Sequence, residues 1–216
     1  MQVLGEGQCD VGVVNSSIFD ASQYADAGRL YVDFGQPAQC SGEVIRWEFC
    51  YIALVVQSGP KSSTRNSDQN VITAVVLRRD TTGTQGSYRI INVYNINIDG
   101  ARGSSEGYLT ACDSIDSEDA MYMERGDLLG FICGETIRTI FMSSESLVQS
   151  QPSSSSGGTI RVFNISSMQQ DSSAGNRASY LTGMNPIQED RFELITASVI
   201  SLLRVIMSKQ FNYRLT

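Results

Sequence analysis

Four carboxylates crowd one short stretch of the chain: Asp113, Asp116, Glu118 and Asp119. Oxygen ligands at that density suit Ca2+, a hard cation that takes carboxylates and carbonyls. The stretch lacks the turn glycine and distal Glu of an EF-hand, and a solvated acidic loop is the simpler account of it. Gly126 and Asp127 form a second candidate, an aspartate beside a glycine. A tight turn explains that pair without catalysis: Gly supplies the unusual backbone angle and Asp bonds a neighbouring amide. A glycosidase working with carboxylates alone needs two acids about 5–10 Å apart across a cleft.

Other chemistries lack their reagents. The chain has no histidine, which removes Ser-His-Asp and Cys-His catalysis and His-ligated metal. Serine is abundant, but no base stands ready to activate it. Lys61 and Lys209 are the only lysines, and neither sits in an apolar pocket motif. Neither GxxxxGK[ST] nor GxGxxG occurs, so no nucleotide cofactor is expected. Sixteen Lys and Arg against 23 Asp and Glu give a net charge of −7, which disfavours nucleic acid as a partner.

Aromatic residues offer a different kind of site. Trp47, Phe49 and Tyr51 recur at every second position, and aromatic faces of that kind stack on sugar rings. The same alternation with Arg46 and Glu48 is that of a half-buried strand, which favours Trp47 in the core. Tyr88, Tyr94, Tyr108 and Tyr122 are less constrained and are candidates for the surface.

The elements that must position these residues are strands. Charged residues make up only 18% of 216 residues, too few for long amphipathic helices. Residues 44–56, 71–79 and 88–98 read as strands, the last two joined by a turn at 81–86 as an antiparallel hairpin. Residues 120–133 alternate, turn at Gly126 and Asp127, and enter a buried strand. Residues 136–142, 159–163 and 191–200 complete the set. Polar loops separate them, among them a Ser-rich one over 143–158 and a polar stretch over 169–188. Eight or so strands so spaced predict an all-β antiparallel sandwich, jelly-roll-like, with long polar loops.

Residues 194–207 are apolar but short of the roughly 20 residues that cross a bilayer, and Arg204 interrupts them. Val199, Leu202, Leu203 and Ile206 fall three and four apart, which predicts a short C-terminal helix with one apolar face. Such a helix is marginal alone. It packs on the core, or it docks on a second copy through Leu202, Leu203 and Ile206. The chain opens with neither a basic start nor an apolar run, so a secreted protein would be represented here by a mature chain or a fragment.

Five cysteines without a CxxC, at 9, 40, 50, 112 and 133, point away from zinc and thioredoxin chemistry. Sequons at Asn15 and Asn164, each expected where a strand gives way to a loop, add to an extracellular reading and are candidate glycosylation sites.

The pattern Cys40-x-Gly42-x-Val44-x-x-Trp47-x-Phe49-Cys50-Tyr51, then Tyr88, Cys112 and Gly126-Asp127-Leu128-Leu129-Gly130-Phe131-x-Cys133, resembles a poorly characterised domain of extracellular and cell-surface proteins of early-branching animals. The resemblance spans residues 38–200 and fails from Leu202 onward. It implies secretion, disulfides and a β-sandwich, and it supplies no activity. It matches both Cys112 and Cys133, which flank the 121–128 segment and are expected to pair, a link worth about 3 kcal/mol. Cys40 with Cys50 is the expected second pair, leaving Cys9 free or intermolecular.

These readings divide the chain into an arm or extra strands at 1–37, a sandwich at 38–201 and a tail at 202–216. They predict a non-enzymatic extracellular structural or interaction module without cofactor or membrane span, associating with itself or with another extracellular protein. A glycan-binding, lectin-like jelly roll is the alternative, and a carboxylate hydrolase a distant third.

Overall fold

The structure is a computed structural model, and it describes residues 7–12, 23–24, 26, 28–55, 71–82, 86–97, 107–117, 121–134, 137–143, 160–165, 174–194, 199–201 and 203–209. In chain order the strands are β1 (Gln8–Gly12), β2 (Gln23–Tyr24), β3 (Arg29–Asp33), β4 (Gly42–Val55), β5 (Val71–Arg79), β6 (Ser87–Asn97), β7 (Gly107–Asp116), β8 (Tyr122–Met123), β9 (Leu128–Cys133), β10 (Ile137–Ser143) and β11 (Ile160–Asn164). Helix α1 (Ala174–Gly183) follows, then β12 (Ile187–Gln188), a 3₁₀ turn (Glu189–Arg191), β13 (Glu193–Leu194), β14 (Val199–Ser201) and β15 (Leu203–Lys209).

Every strand pairing is antiparallel. One sheet contains the path β1-β15-β4-β7, and the other the path β3-β9-β5-β6. Numbering those eight strands one to eight in chain order gives the sheets 1-8-3-6 and 2-7-4-5, the interlocked Greek keys of a jelly roll. The remaining strands extend the two sheets at their margins. β1 and β3, within the first 37 residues, and β15, beyond position 201, are therefore strands of the sandwich.

The inner faces meet in one core, with Trp47, Phe49, Val205 and Met207 from the first sheet against Ile72, Ala74, Leu129 and Phe131 from the second. A bulge sets the phase of β4. Ile206 pairs with Arg46 but Met207 pairs with Val44, so Ile45 is the extra residue. Val44 and Trp47 thereby reach the same core, and Ile45, expected from strict alternation to point inward with Trp47, is only half-buried.

The second sheet is covered on its other face too, where Leu30, Val75, Leu77 and Ile132 pack with Leu181 of α1, Ile187 and Phe192. This is why β5 and β9 read as continuous apolar runs. The sheet also curls. Its two margins, β12 and β13, are separated by only five residue steps, at most about 17 Å of chain. Six flat strand spacings would need about 29 Å. The chain between them closes over the concave side, with Phe192 as its apolar plug.

Three sequence expectations are corrected. The tail is a strand, not a helix: β15 lies between β1 and β4, and Val205 and Met207 are fully buried at strand spacing. The residues a helix would align are split, with Val199 in β14 and Leu203 and Ile206 in β15. Leu202 lies outside the described residues. Ile206 is buried within this one chain, so it offers no docking stripe.

The disulfides are Cys50–Cys112 and Cys9–Cys40, and Cys133 is buried and belongs to neither. Cys112 cannot reach Cys133, because Cys112 lies opposite Cys50 on the face of the first sheet away from Trp47 and Phe49, whereas Cys133 packs in the inter-sheet core. Nor can Cys40 reach Cys50. The strand from Gly42 to Cys50 is about 25 Å long, and bridged Cα atoms lie within about 7 Å. Cys9 on β1 takes Cys40 instead, tying the first strand to the entry of β4.

Candidate binding cleft

The sandwich ties its charged side chains to one another. Arg78 grips Asp127 with Nε on Oδ1 and Nη2 on Oδ2, both at 2.9 Å, and reaches Glu124 at 2.7 Å. Asp127 Oδ2 also accepts the Glu124 amide at 2.7 Å, and Gly126 holds a φ of 95°. Gly126 and Asp127 thus form the structural turn expected of them. Arg204 bonds Asp10 and Glu48 across β1-β15-β4, and Arg161 bonds Glu189 at 2.7 Å while lying over the Phe34 ring.

Asp113 and Asp116 of the acidic stretch do not converge. Asp113 and Asp116 are exposed on β7, and residues three apart on a strand point to opposite faces. Asp116 accepts from Arg46 at 2.9 Å and Asp113 from the Ser114 amide at 2.7 Å. Glu118 and Asp119 lie outside the described residues, and among the described residues no acidic or cysteine group is arranged to hold a metal ion. Asn164 is exposed at the end of β11, and Asn15 lies outside the described residues.

The aromatic platform is also inside. Trp47 is fully buried and stacks on Tyr94, with ring centroids 5.2 Å apart. Phe49 and Tyr51 are buried beside it. Tyr94 and Tyr88, expected as surface candidates, are core partners: Tyr88 meets Phe34 edge to face. Tyr122 is half-buried, and the side chain of Tyr108 is not described.

Tyr180, on α1, is the most exposed of the tyrosines whose side chains are described, at 47% exposure. It stands over a cleft of about 810 Å³ between α1 and the 3₁₀ turn. Leu181, wholly buried against the curled sheet, fixes the helix and leaves Ser179 and Tyr180 outward. The chain then leaves α1 through Met184 and Pro186. β12 pins Gln188 opposite Ser87, and the Glu189 amide bonds the Gly86 carbonyl at 2.8 Å. The Phe192 amide closes the 3₁₀ turn on the Glu189 carbonyl at 3.2 Å. These bonds hold Gln188, Asp190 and Arg191 along one wall.

Phe163, Met184, Pro186 and Ile187 give the cleft its apolar lining. Asn185, Gln188, Asp190 and Arg191 give it polar groups, and among the described residues none of these four side chains hydrogen-bonds or ion-pairs within the chain. Among the described residues Asp190 is its one lining carboxylate, and nearby Glu189 is neutralised by Arg161. Burial, and next the Glu189 charge, push the Tyr88 phenol upward, so it stays protonated beneath the turn. The arrangement can hold a ligand by stacking and hydrogen bonds.

This site was not legible as a site. Residues 169–188 read as a polar loop because Leu181 is the one deeply buried residue over 178–183. Gly183 followed by Pro186 was the available helix-stop signal. Compared with known protein families, curated proteins and solved structures, the chain matches none.

Proposed function

We propose that this chain is a non-enzymatic extracellular interaction module, a jelly roll fastened by disulfides that binds its partner in the cleft beside α1. The observation that carries the reading is a contrast in the use of polar groups. Arg78, Asp127, Arg204, Glu48 and Arg161 are tied within the fold, whereas the side chains of Asn185, Gln188, Asp190 and Arg191 line the cleft without a partner among the described residues. A concave, partly apolar site with a few fixed polar groups is the usual form of a ligand site. Two disulfides support an oxidising compartment, as does the resemblance to extracellular domains. The absence of histidine supports binding without turnover.

Thermal shift of the full chain with a chemically diverse fragment set tests the reading. A ligand for the folded state raises Tm by mass action. Fragments are expected to raise the Tm of the wild-type chain and to lose that effect in the Tyr180→Ala, Arg191→Ala double variant. Fragments that stabilise both proteins equally would place the binding face elsewhere.

A further inference from the structure

We infer that the cleft takes a neutral saccharide. The inference rests on the reading of this cleft as the binding face, and it adds the ligand's chemistry. A sugar ring presents C–H faces and a rim of adjacent hydroxyls, each a donor and an acceptor. The cleft is matched to both. The half-exposed Tyr180 ring with Met184 and Pro186 offers apolar surface for a ring face. The amides of Asn185 and Gln188, the Asp190 carboxylate and the Arg191 guanidinium are all planar groups that present two or more polar atoms side by side. Neighbouring hydroxyls are what such forks engage.

Charge selects neutral over ionic ligands. The polar wall carries one acid and one base, Asp190 and Arg191, and so has no net charge to offer. The chain's net charge of −7 repels sulfated and other polyanionic glycans. The volume of about 810 Å³ lies within the range of small-ligand sites. Among the described residues Asp190 is the one carboxylate lining the cleft, and glycoside cleavage requires a pair, which favours holding the saccharide over cutting it.

The test is binding of the full chain to an immobilised panel of neutral, sialylated and sulfated oligosaccharides. The variants are Tyr180→Ala, Tyr180→Phe and Asn185→Ala, each checked by thermal melting. Neutral glycans are expected to bind, with at least tenfold weaker binding in Tyr180→Ala and Asn185→Ala, unchanged Tm, and retention in Tyr180→Phe. Binding of only the charged glycans would overturn the inference, and so would no glycan binding at all. If fragments still act through the cleft in that case, the saccharide fails and the binding face stands. Neutral binding that is equal in all variants would overturn both.

Discussion

Arg78 and Asp127 meet as a bidentate pair, with both nitrogen–oxygen distances at 2.9 Å, and so join the end of β5 to the turn that starts β9. Asp127 is 1% exposed and also accepts the Glu124 amide. Asp127→Ala removes two hydrogen bonds from Arg78 and the acceptor of the Glu124 amide. We expect a loss of about 3 kcal/mol, read by urea denaturation. Asp127→Asn, which keeps one acceptor, should cost less. Equal and small losses in both would mean that the pair is not structural.

Gly130 and Gly126 are required for different reasons. A Cβ on Gly130 would sit 2.8 Å from the Tyr31 carbonyl oxygen and 3.0 Å from Val75, in the middle of the second sheet. Gly130→Ala should cost about 1–3 kcal/mol by overpacking. Gly126 has open space around it but a φ of 95°, so Gly126→Ala should cost about 1–2 kcal/mol through backbone strain alone. Gly126→Asn should recover part of the second loss, whereas Gly130→Asn should worsen the first. Both are checked by thermal melts.

Much of the fold was legible because its signals are local. The runs at 71–79 and 128–133 are apolar on both faces, and the turn at Gly126 and Asp127 is written in its own two residues. What was missed depends on partners distant in sequence. The helical spacing of Val199, Leu203 and Ile206 and the strand spacing of Val205 and Met207 occupy the same stretch, and only the slot between β1 and β4 decides between them. The bulge at Ile45 follows from the register with β15, and Cys50 finds Cys112 through the register with β7. The cleft was hidden because a surface helix whose one buried residue over 178–183 is Leu181 leaves almost no periodic trace.

The cysteine pairing is open to direct mapping. Unreduced peptide maps should show Cys50 with Cys112 and Cys9 with Cys40, and Cys133 should resist alkylation until the chain unfolds. Replacing Cys50 and Cys112 together by Ala should lower stability by about 2–4 kcal/mol. A Cys112–Cys133 peptide would contradict the strand register itself.

Alkaline pH should loosen the fold. Tyr31, Tyr51 and Tyr88 have their phenol values raised above 10.0, in each case chiefly by burial. A raised value means that the folded state holds the proton more tightly. The stability from these groups is therefore fully present below pH 10 and is lost as pH rises through their folded values. Absorbance at 295 nm and circular dichroism should show Tyr31, Tyr51 and Tyr88 ionising above pH 10, together with unfolding. A single titration near pH 10 with an unchanged fold would contradict this.

The central claim is that the cleft beside α1 is the binding face. Chemical-shift mapping of the 15N-labelled full chain, titrated with stabilising fragments and with neutral oligosaccharides, tests it most directly. The account predicts perturbations concentrated at residues 179–191, at Tyr180, Asn185, Gln188 and Arg191 above all. Perturbations centred on another face of the sandwich would contradict it.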